Sequence, residues 1–177
     1  VRGGAPAHRH GERRRRAARL QPHLDGLRRL GVRWVVLSGG EPLMHSNLWQ
    51  LCELFEALDV RVSLLSTGLL LARHASEIVR WCDEVIVSLD GPREIHDRIR
   101  RIPGAYDRLA AGVAALRAAD PGFPISGRCV LQKLNFRALP EIIRTARAIG
   151  LDRISFLAAD TSSTAFNRPE GWDRSRA

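Results

Sequence analysis

Apolar residues recur at three- and four-residue spacing over residues 12–30, where Leu20, Leu24, Leu27 and Leu30 line one side of a predicted helix. Gly31 stands where a helix-ending glycine belongs. The period then changes. Val32-Arg33-Trp34-Val35-Val36-Leu37-Ser38 is a short β-branched run stopped by Gly39-Gly40, and it reads as a strand. Helical spacing returns with Leu48, Leu51, Cys52, Phe55 and Leu58, behind Ser46 or Asn47 as N-cap. The alternation continues with a strand over 60–67, ended by Gly68, a helix over about 71–82 and a strand over 84–88. A longer loop holding Gly91, Pro92, Pro103 and Gly104 precedes a helix over about 106–119. A fourth strand spans 125–131, Asn135 is placed to cap a helix running to Ile149, and a fifth strand spans 153–157. From Asp160 onward Ser, Thr, Asn, Pro and Gly predict loop.

Strands beginning near residues 33, 60, 84, 125 and 152 have the spacing of strand–helix units joined by right-handed crossovers into a parallel sheet. An open doubly wound sheet and a (β/α) barrel share this pattern. Five visible strands are too few for a complete eight-fold barrel but suit a partial one. Both architectures bind ligands at the carboxyl ends of their strands. Those ends read Ser38-Gly39-Gly40-Glu41-Pro42, Ser66-Thr67-Gly68, Ser88-Leu89-Asp90-Gly91-Pro92, Gln132-Lys133-Leu134-Asn135 and Ala158-Ala159-Asp160. Small and polar residues gather at all five.

Composition narrows the class. With 177 residues, 45% apolar and 27% charged, the chain suits one folded domain rather than a disordered segment. No run approaches the roughly 18 apolar residues of a membrane span, and the basic N-terminus lacks the apolar core of a secretory signal, so a cytoplasmic protein is expected. The net charge of +9 is concentrated in residues 1–20, which carry seven arginines against Glu12 alone. The remainder is nearly balanced, which argues against a nucleic-acid surface on the folded body. The expected organisation is a basic tail over 1–20, a barrel over 21–160 and a polar tail over 161–177. Cys52, Cys82 and Cys129 are an odd set without short spacing and read as packed thiols, not a metal knuckle.

The strand ends carry the chemistry. Gly39-Gly40 allows a sharp turn and close approach of a ligand, and Glu41 adds a carboxylate that Pro42 restrains. Carbonyls and a carboxylate are acceptors, so this corner suits an ammonium better than a phosphate, which needs N–H donors. Ser88 and Asp90 share one side of the third strand end and suit a sugar diol or an amino-acid head group; a turn capped by Asp90 is the structural alternative. On the fourth strand, Ile125, Gly127, Cys129 and Leu131 alternate with Ser126, Arg128 and Val130. If the first set faces the helices, Arg128 points inward, where a lone charge requires an anionic partner.

Taken in order, Leu37-Ser38-Gly39-Gly40-Glu41-Pro42-Leu43, Ser66-Thr67-Gly68, Val87-Ser88-Leu89-Asp90-Gly91-Pro92, His96-Asp97 with Arg100, and Gly104-Ala105-Tyr106-Asp107-Arg108 resemble the core of a radical S-adenosylmethionine enzyme. The likeness covers about residues 31–160 and is greatest to the branch of peptide maturases and molybdopterin-precursor cyclases. It implies an α/β fold, a partial (β/α)6 TIM-like barrel of parallel strands with its first strand absent. It also implies a [4Fe-4S] cluster that cleaves S-adenosylmethionine to a 5′-deoxyadenosyl radical, which takes hydrogen from a small-molecule or peptide substrate. The electron would come from a donor such as flavodoxin or ferredoxin. On this sequence the resemblance assigns Gly39, Gly40 and Glu41, with Pro42, to the methionyl ammonium, and Ser88, with Asp90 nearby, to the carboxylate or ribose. Thr67 and Arg128 would line the cavity towards the methionyl carboxylate or substrate, and backbone up to Ala159 would flank the adenine.

The chain departs from the family in one respect. The CxxxCxxC segment that holds the cluster is absent, so no metal ligand is assigned; His8 and His10 stand in that region and read as part of a solvated tail. Two readings stay open: an N-terminally incomplete radical enzyme, or a degenerate barrel that binds S-adenosylmethionine or a partner protein without catalysis. His96 is expected to anchor its loop and Asp97 to cap a helix.

Overall fold

The computed structural model describes residues 22–159, so the expected tails over 1–20 and 161–177, with His8 and His10, lie outside the described residues. Helix α1 covers residues 22–29 of the predicted first helix. The strands are β1 (Trp34–Leu37), β2 (Arg61–Ser66), β3 (Glu84–Ser88), β4 (Ile125–Leu131) and β5 (Arg153–Ala158). Between them lie α2 (Leu48–Glu56), α3 (Ala75–Trp81), α4 (Arg93–Arg100), α5 (Ala105–Ala119) and α6 (Leu139–Ala148).

All neighbouring strands pair in parallel and in chain order, β1-β2-β3-β4-β5. That order separates the two architectures that the strand spacing leaves open and agrees with the partial barrel that the resemblance implies. A doubly wound sheet reverses its strand order at a switch point, whereas an unreversed order with crossovers of one hand puts every helix on the same face. The burial pattern agrees. Val62, Leu64, Val85, Val87, Leu89, Ile125 and Cys129 face the helices and are buried with Cys52, Phe55, Ile78, Leu109 and Leu116. The alternate residues form the other, concave face, which is partly open: Trp34 is 52% exposed, Val36 45% and Leu157 48%. The protein is a partial barrel.

The predicted strands all occur, within one or two residues. Helix α4 is the element the sequence did not announce. Its eight residues include five charged ones and only two apolar ones, Ile95 and Ile99, so the segment between Pro92 and Pro103 reads as loop. It forms because His96 and Ile95 turn inward while Arg93, Glu94 and Arg98 face water. Asp97, inside α4, accepts hydrogen bonds from the Gly104 amide at 2.7 Å and the Tyr106 amide at 2.8 Å. It therefore caps the start of α5, the role expected of it. Asn135 corrects the sequence reading: it holds the N-cap place of a short 3-10 turn, yet its side chain makes no capping bond.

At the amino ends of the strands two acids join neighbours. Asp83, just before β3, accepts from the Val62 amide of β2 at 2.7 Å, and Asp152, just before β5, accepts from the Ile125 amide of β4 at 2.8 Å.

Two outcomes follow from this packing. A Cβ on Gly112, mid-α5, would lie 2.5 Å from the Leu71 Cβ. Gly112→Ala should therefore lower stability by about 1–3 kcal/mol, against the gain in helix propensity, as read by urea unfolding. The Tyr106 amide, and then the Gly104 amide, hold the Asp97 carboxyl below its ordinary pKa. That stabilisation is present above the unfolded value of about 3.9 and is lost as pH falls through the lower folded value. Asp97→Asn should be less stable than wild type at neutral pH, with the gap closing below about pH 4 in thermal melts.

Candidate functional site

Each strand hands its carboxyl end to one rim of the sheet. After β1 the chain turns at Gly39, whose φ of 106° a side-chain-bearing residue rarely adopts. A Cβ built on Gly39 or on Gly40 meets nothing within 4 Å, so this corner is open. Pro42 begins a short 3-10 turn, Pro42–Met44, and is itself buried.

The structure gives Glu41 a task the sequence did not reveal. Its carboxylate accepts from the Ser66 hydroxyl at 3.0 Å, the Thr67 amide at 2.8 Å and the Leu43 amide at 3.2 Å, and from the Thr67 hydroxyl as well. Those bonds use its lone pairs within the protein. Glu41 thus ties the end of β1 to the end of β2 rather than standing free to receive an ammonium, and the Thr67 hydroxyl proton is spent on the same clamp. Among the described residues, no backbone hydrogen bond engages the Gly39 or Gly40 carbonyl.

Ser88 and Arg128 form the last register pair between β3 and β4, and Arg128 pairs on its other side with Ser155 of β5. Cys129 faces the helices, so the alternation puts Arg128 on the concave face, as expected. The Arg128 Nε is buried and has no partner among the described residues. An orphaned guanidinium N–H marks a place where an acceptor is missing.

Asp90 departs from the expectation of a ligand contact. It is 1% exposed, its carboxylate lies 2.7 Å from the Arg100 Nε, and its amide donates to the His96 Nδ1 at 3.2 Å. Burial holds His96 below its ordinary pKa, with Asp90 pulling the other way. Asp90 is thus an internal ion-pair partner, withdrawn because two-residue alternation no longer governs the chain once the strand ends at Ser88. His96 anchors this loop, as expected.

Asn135 is the residue that sequence reasoning missed in kind. It is 1% exposed and donates to the Asp90 carbonyl and the Val130 carbonyl, both at 3.0 Å, while accepting from the Gln132 amide at 2.8 Å. Its only sequence signal was a polar residue in the loop behind a strand. Ala159, at the far end of the sheet, donates its amide to Leu131 at 2.9 Å and continues the β4–β5 pairing. Four inter-strand steps separate the Gly39 corner from Ala159, about 19 Å measured along the sheet.

The thiols stand elsewhere. Cys52 and Cys82 are buried in the helical layer and hydrogen-bond each other, which, with burial, pushes the Cys82 thiol up. Burial pushes Cys129 up to about 12. Among the described residues, no group of three or more His, Cys, Asp or Glu could hold a metal ion. A cleft lined by Asp59, Arg61, Arg80, Trp81 and Cys82 lies at the opposite, amino edge of the sheet. No helix among the described residues is long and apolar enough to cross a membrane.

Comparison with known proteins agrees with this geometry. The chain is 32% identical over 130 residues to the AdoMet-dependent heme synthase of Methanosarcina barkeri, covering 72% of this chain and 37% of that protein. It is 37% identical over 130 residues to the GTP 3',8-cyclase of Rhodopseudomonas palustris, covering 68% of this chain and 37% of that protein. The chain thus spans little more than a third of these curated relatives. Among solved structures, Streptococcus suis SuiB bound to S-adenosylmethionine superposes with a TM-score of 0.61 at 16% identity, over 74% of this chain and 31% of that one, a likeness of fold. The family model described as the Radical SAM superfamily matches residues 5–146, and the chain belongs to that superfamily of enzymes.

Proposed function

We propose that this chain is the S-adenosylmethionine-binding part of a radical-initiating enzyme. The observation that carries the reading is the Arg128 guanidinium, whose buried Nε lacks an acceptor, on the concave face beside Ser88. A carboxylate is the ligand group that satisfies such a donor best. The open Gly39-Gly40 corner supplies the complementary half: peptide carbonyls with no backbone partner, suited to an ammonium. An acceptor corner and an anion-seeking arginine at different strand ends fit a zwitterionic amino-acid head. The span to Ala159 leaves room for a nucleoside beyond it.

The roles then divide. Gly39 and Gly40 receive the ammonium, while Glu41, Pro42 and Thr67 hold that turn in place. Arg128 and Ser88 take the carboxylate, and backbone near Ala159 flanks the adenine. Asp90 acts from inside the protein. In the whole protein, S-adenosylmethionine bound at a reduced [4Fe-4S] cluster would supply the radical chemistry for hydrogen abstraction. The described cysteines do not fit such a cluster: Cys52 and Cys82 lie in the helical layer and Cys129 faces it, away from the concave face. No cluster ligand is therefore assigned among the described residues, and no electron-transfer step is drawn through them. For the whole protein, a reduced ferredoxin or flavodoxin would serve as donor. The names of the relatives, a heme synthase and a GTP cyclase among them, agree on no substrate, and none is carried over.

Calorimetric titration of the 177-residue chain with S-adenosylmethionine tests this reading. Saturable binding is expected, weakened at least about tenfold in Arg128→Met by loss of a charge-assisted contact. A well-folded wild-type sample that takes up no ligand would end the proposal. Glu41→Ala is expected to cost about 2 kcal/mol in urea unfolding, because the Thr67 amide and Ser66 hydroxyl lose their acceptor.

A further inference from the structure

Backbone pairing between β3 and β4 stops at the Ser88–Arg128 register pair, where the Leu89 amide still donates to the Arg128 carbonyl at 3.0 Å. Two residues further along each strand stand Asp90 and Val130. Their carbonyls do not meet an amide from the opposite strand; both are bound by one side-chain nitrogen, Asn135 Nδ2, at 3.0 Å each. The Asn135 Oδ1 accepts from the Gln132 amide at 2.8 Å, which fixes the direction of the loop leaving β4. Asn135 Nδ2 also lies 3.5 Å from the Cys129 Sγ. This one buried amide therefore replaces the missing rung of the ladder.

The rung sits next to the proposed carboxylate site and touches none of its side chains. A second set of contacts reinforces it from the other side. The Asp90 amide is held by His96, and the Asp90 carboxylate by Arg100, so the β3 end is fixed to α4 as well. The Asp90 Oδ2 and Arg100 Nε approach to 2.7 Å as an ion pair but lack hydrogen-bond geometry, so the carboxylate is held by charge while the carbonyl is held directionally. A buried charge pair is a weak source of net stability, and its persistence here fits a task of placement.

We infer that Asn135 is a positioning residue, which sets the separation of Ser88 and Arg128 and thereby the affinity of the site for the carboxylate of S-adenosylmethionine. The inference rests on the function proposed above. Without the rung, the Leu89–Arg128 bond becomes the frayed end of the β3–β4 ladder and alone holds the Ser88–Arg128 pair on that side, so the Arg128 side chain is no longer held firmly beside Ser88. The effect of Asn135 is then transmitted through Arg128, which distinguishes it from a residue that merely stabilises the fold.

A double-mutant cycle on the 177-residue chain separates these cases, with S-adenosylmethionine as the titrant and thermal melts as the control for folding. Asn135→Ala and Arg128→Met should each weaken binding about tenfold, and the double variant should be no weaker than Arg128→Met alone. Losses that multiply to about a hundredfold, or an Asn135→Ala protein that binds like wild type, would overturn the inference while leaving the proposed function intact. Absence of binding in the wild type removes both, a result different from either pattern. If Asn135→Ala does not fold, Asn135→Ser, which keeps one donor and one acceptor on a shorter stem, takes its place with the same expected non-additivity.

Discussion

A parallel sheet wound in one direction must put all its connecting helices on one side, and the organisation of this protein follows from that asymmetry. The helix-facing residues of β2, β3 and β4 are almost continuously apolar, because α2, α3 and α5 seal them from water. The alternate residues have no such cover and can afford Ser63, Glu84, Ser88, Ser126 and Arg128. The concave face therefore carries polar and charged side chains beside exposed apolar ones such as Trp34, Val36 and Leu157. Its amino half is internally satisfied: Trp34 donates to Ser63 at 2.6 Å, and Ser63 to Glu84 at 2.6 Å. Its carboxyl half is not, and the unsatisfied Arg128 nitrogen lies there.

Strand ends are the weak places of such a sheet, since each ladder stops and leaves peptide groups without partners. This chain closes them with side chains. Asp83 and Asp152 accept strand amides at the amino edge, and Glu41 and Asn135 join neighbouring strands at the carboxyl edge. Acids serve where the orphan groups are amides. An asparagine serves between β3 and β4, where two orphan carbonyls need a donor and one amide needs an acceptor. At the carboxyl edge the side chains that finish the sheet, Glu41 and Asn135, stand at the same strand ends as the proposed site.

That economy explains how polar residues at strand ends come to serve the fold. Glu41, Thr67 and Asp90 occur at strand ends and have the right chemistry for a ligand, yet most of their hydrogen-bonding capacity is spent inside the protein. A one-dimensional pattern records that a carboxylate is present at a turn; it does not record how many donors converge on it. At Gly39 and Gly40 the signal is the absence of side chains, and the corner is open in the fold.

Period and punctuation in the chain were enough to predict five parallel strands and, within two residues, their limits. These are local properties: two-residue and 3.6-residue alternation, glycine at the breaks, and the length of each crossover. Helix α4 escaped because eight mostly charged residues lack an apolar stripe long enough to declare a helix. Only the folded chain decided that the sheet winds one way, that Asn135 supplies a rung between β3 and β4 instead of capping α6, and that Asp90 turns inward to Arg100. Each of these joins residues distant in sequence, as Asp90 and Asn135 are, and such partners are selected by proximity and by the requirement that buried polar groups be satisfied.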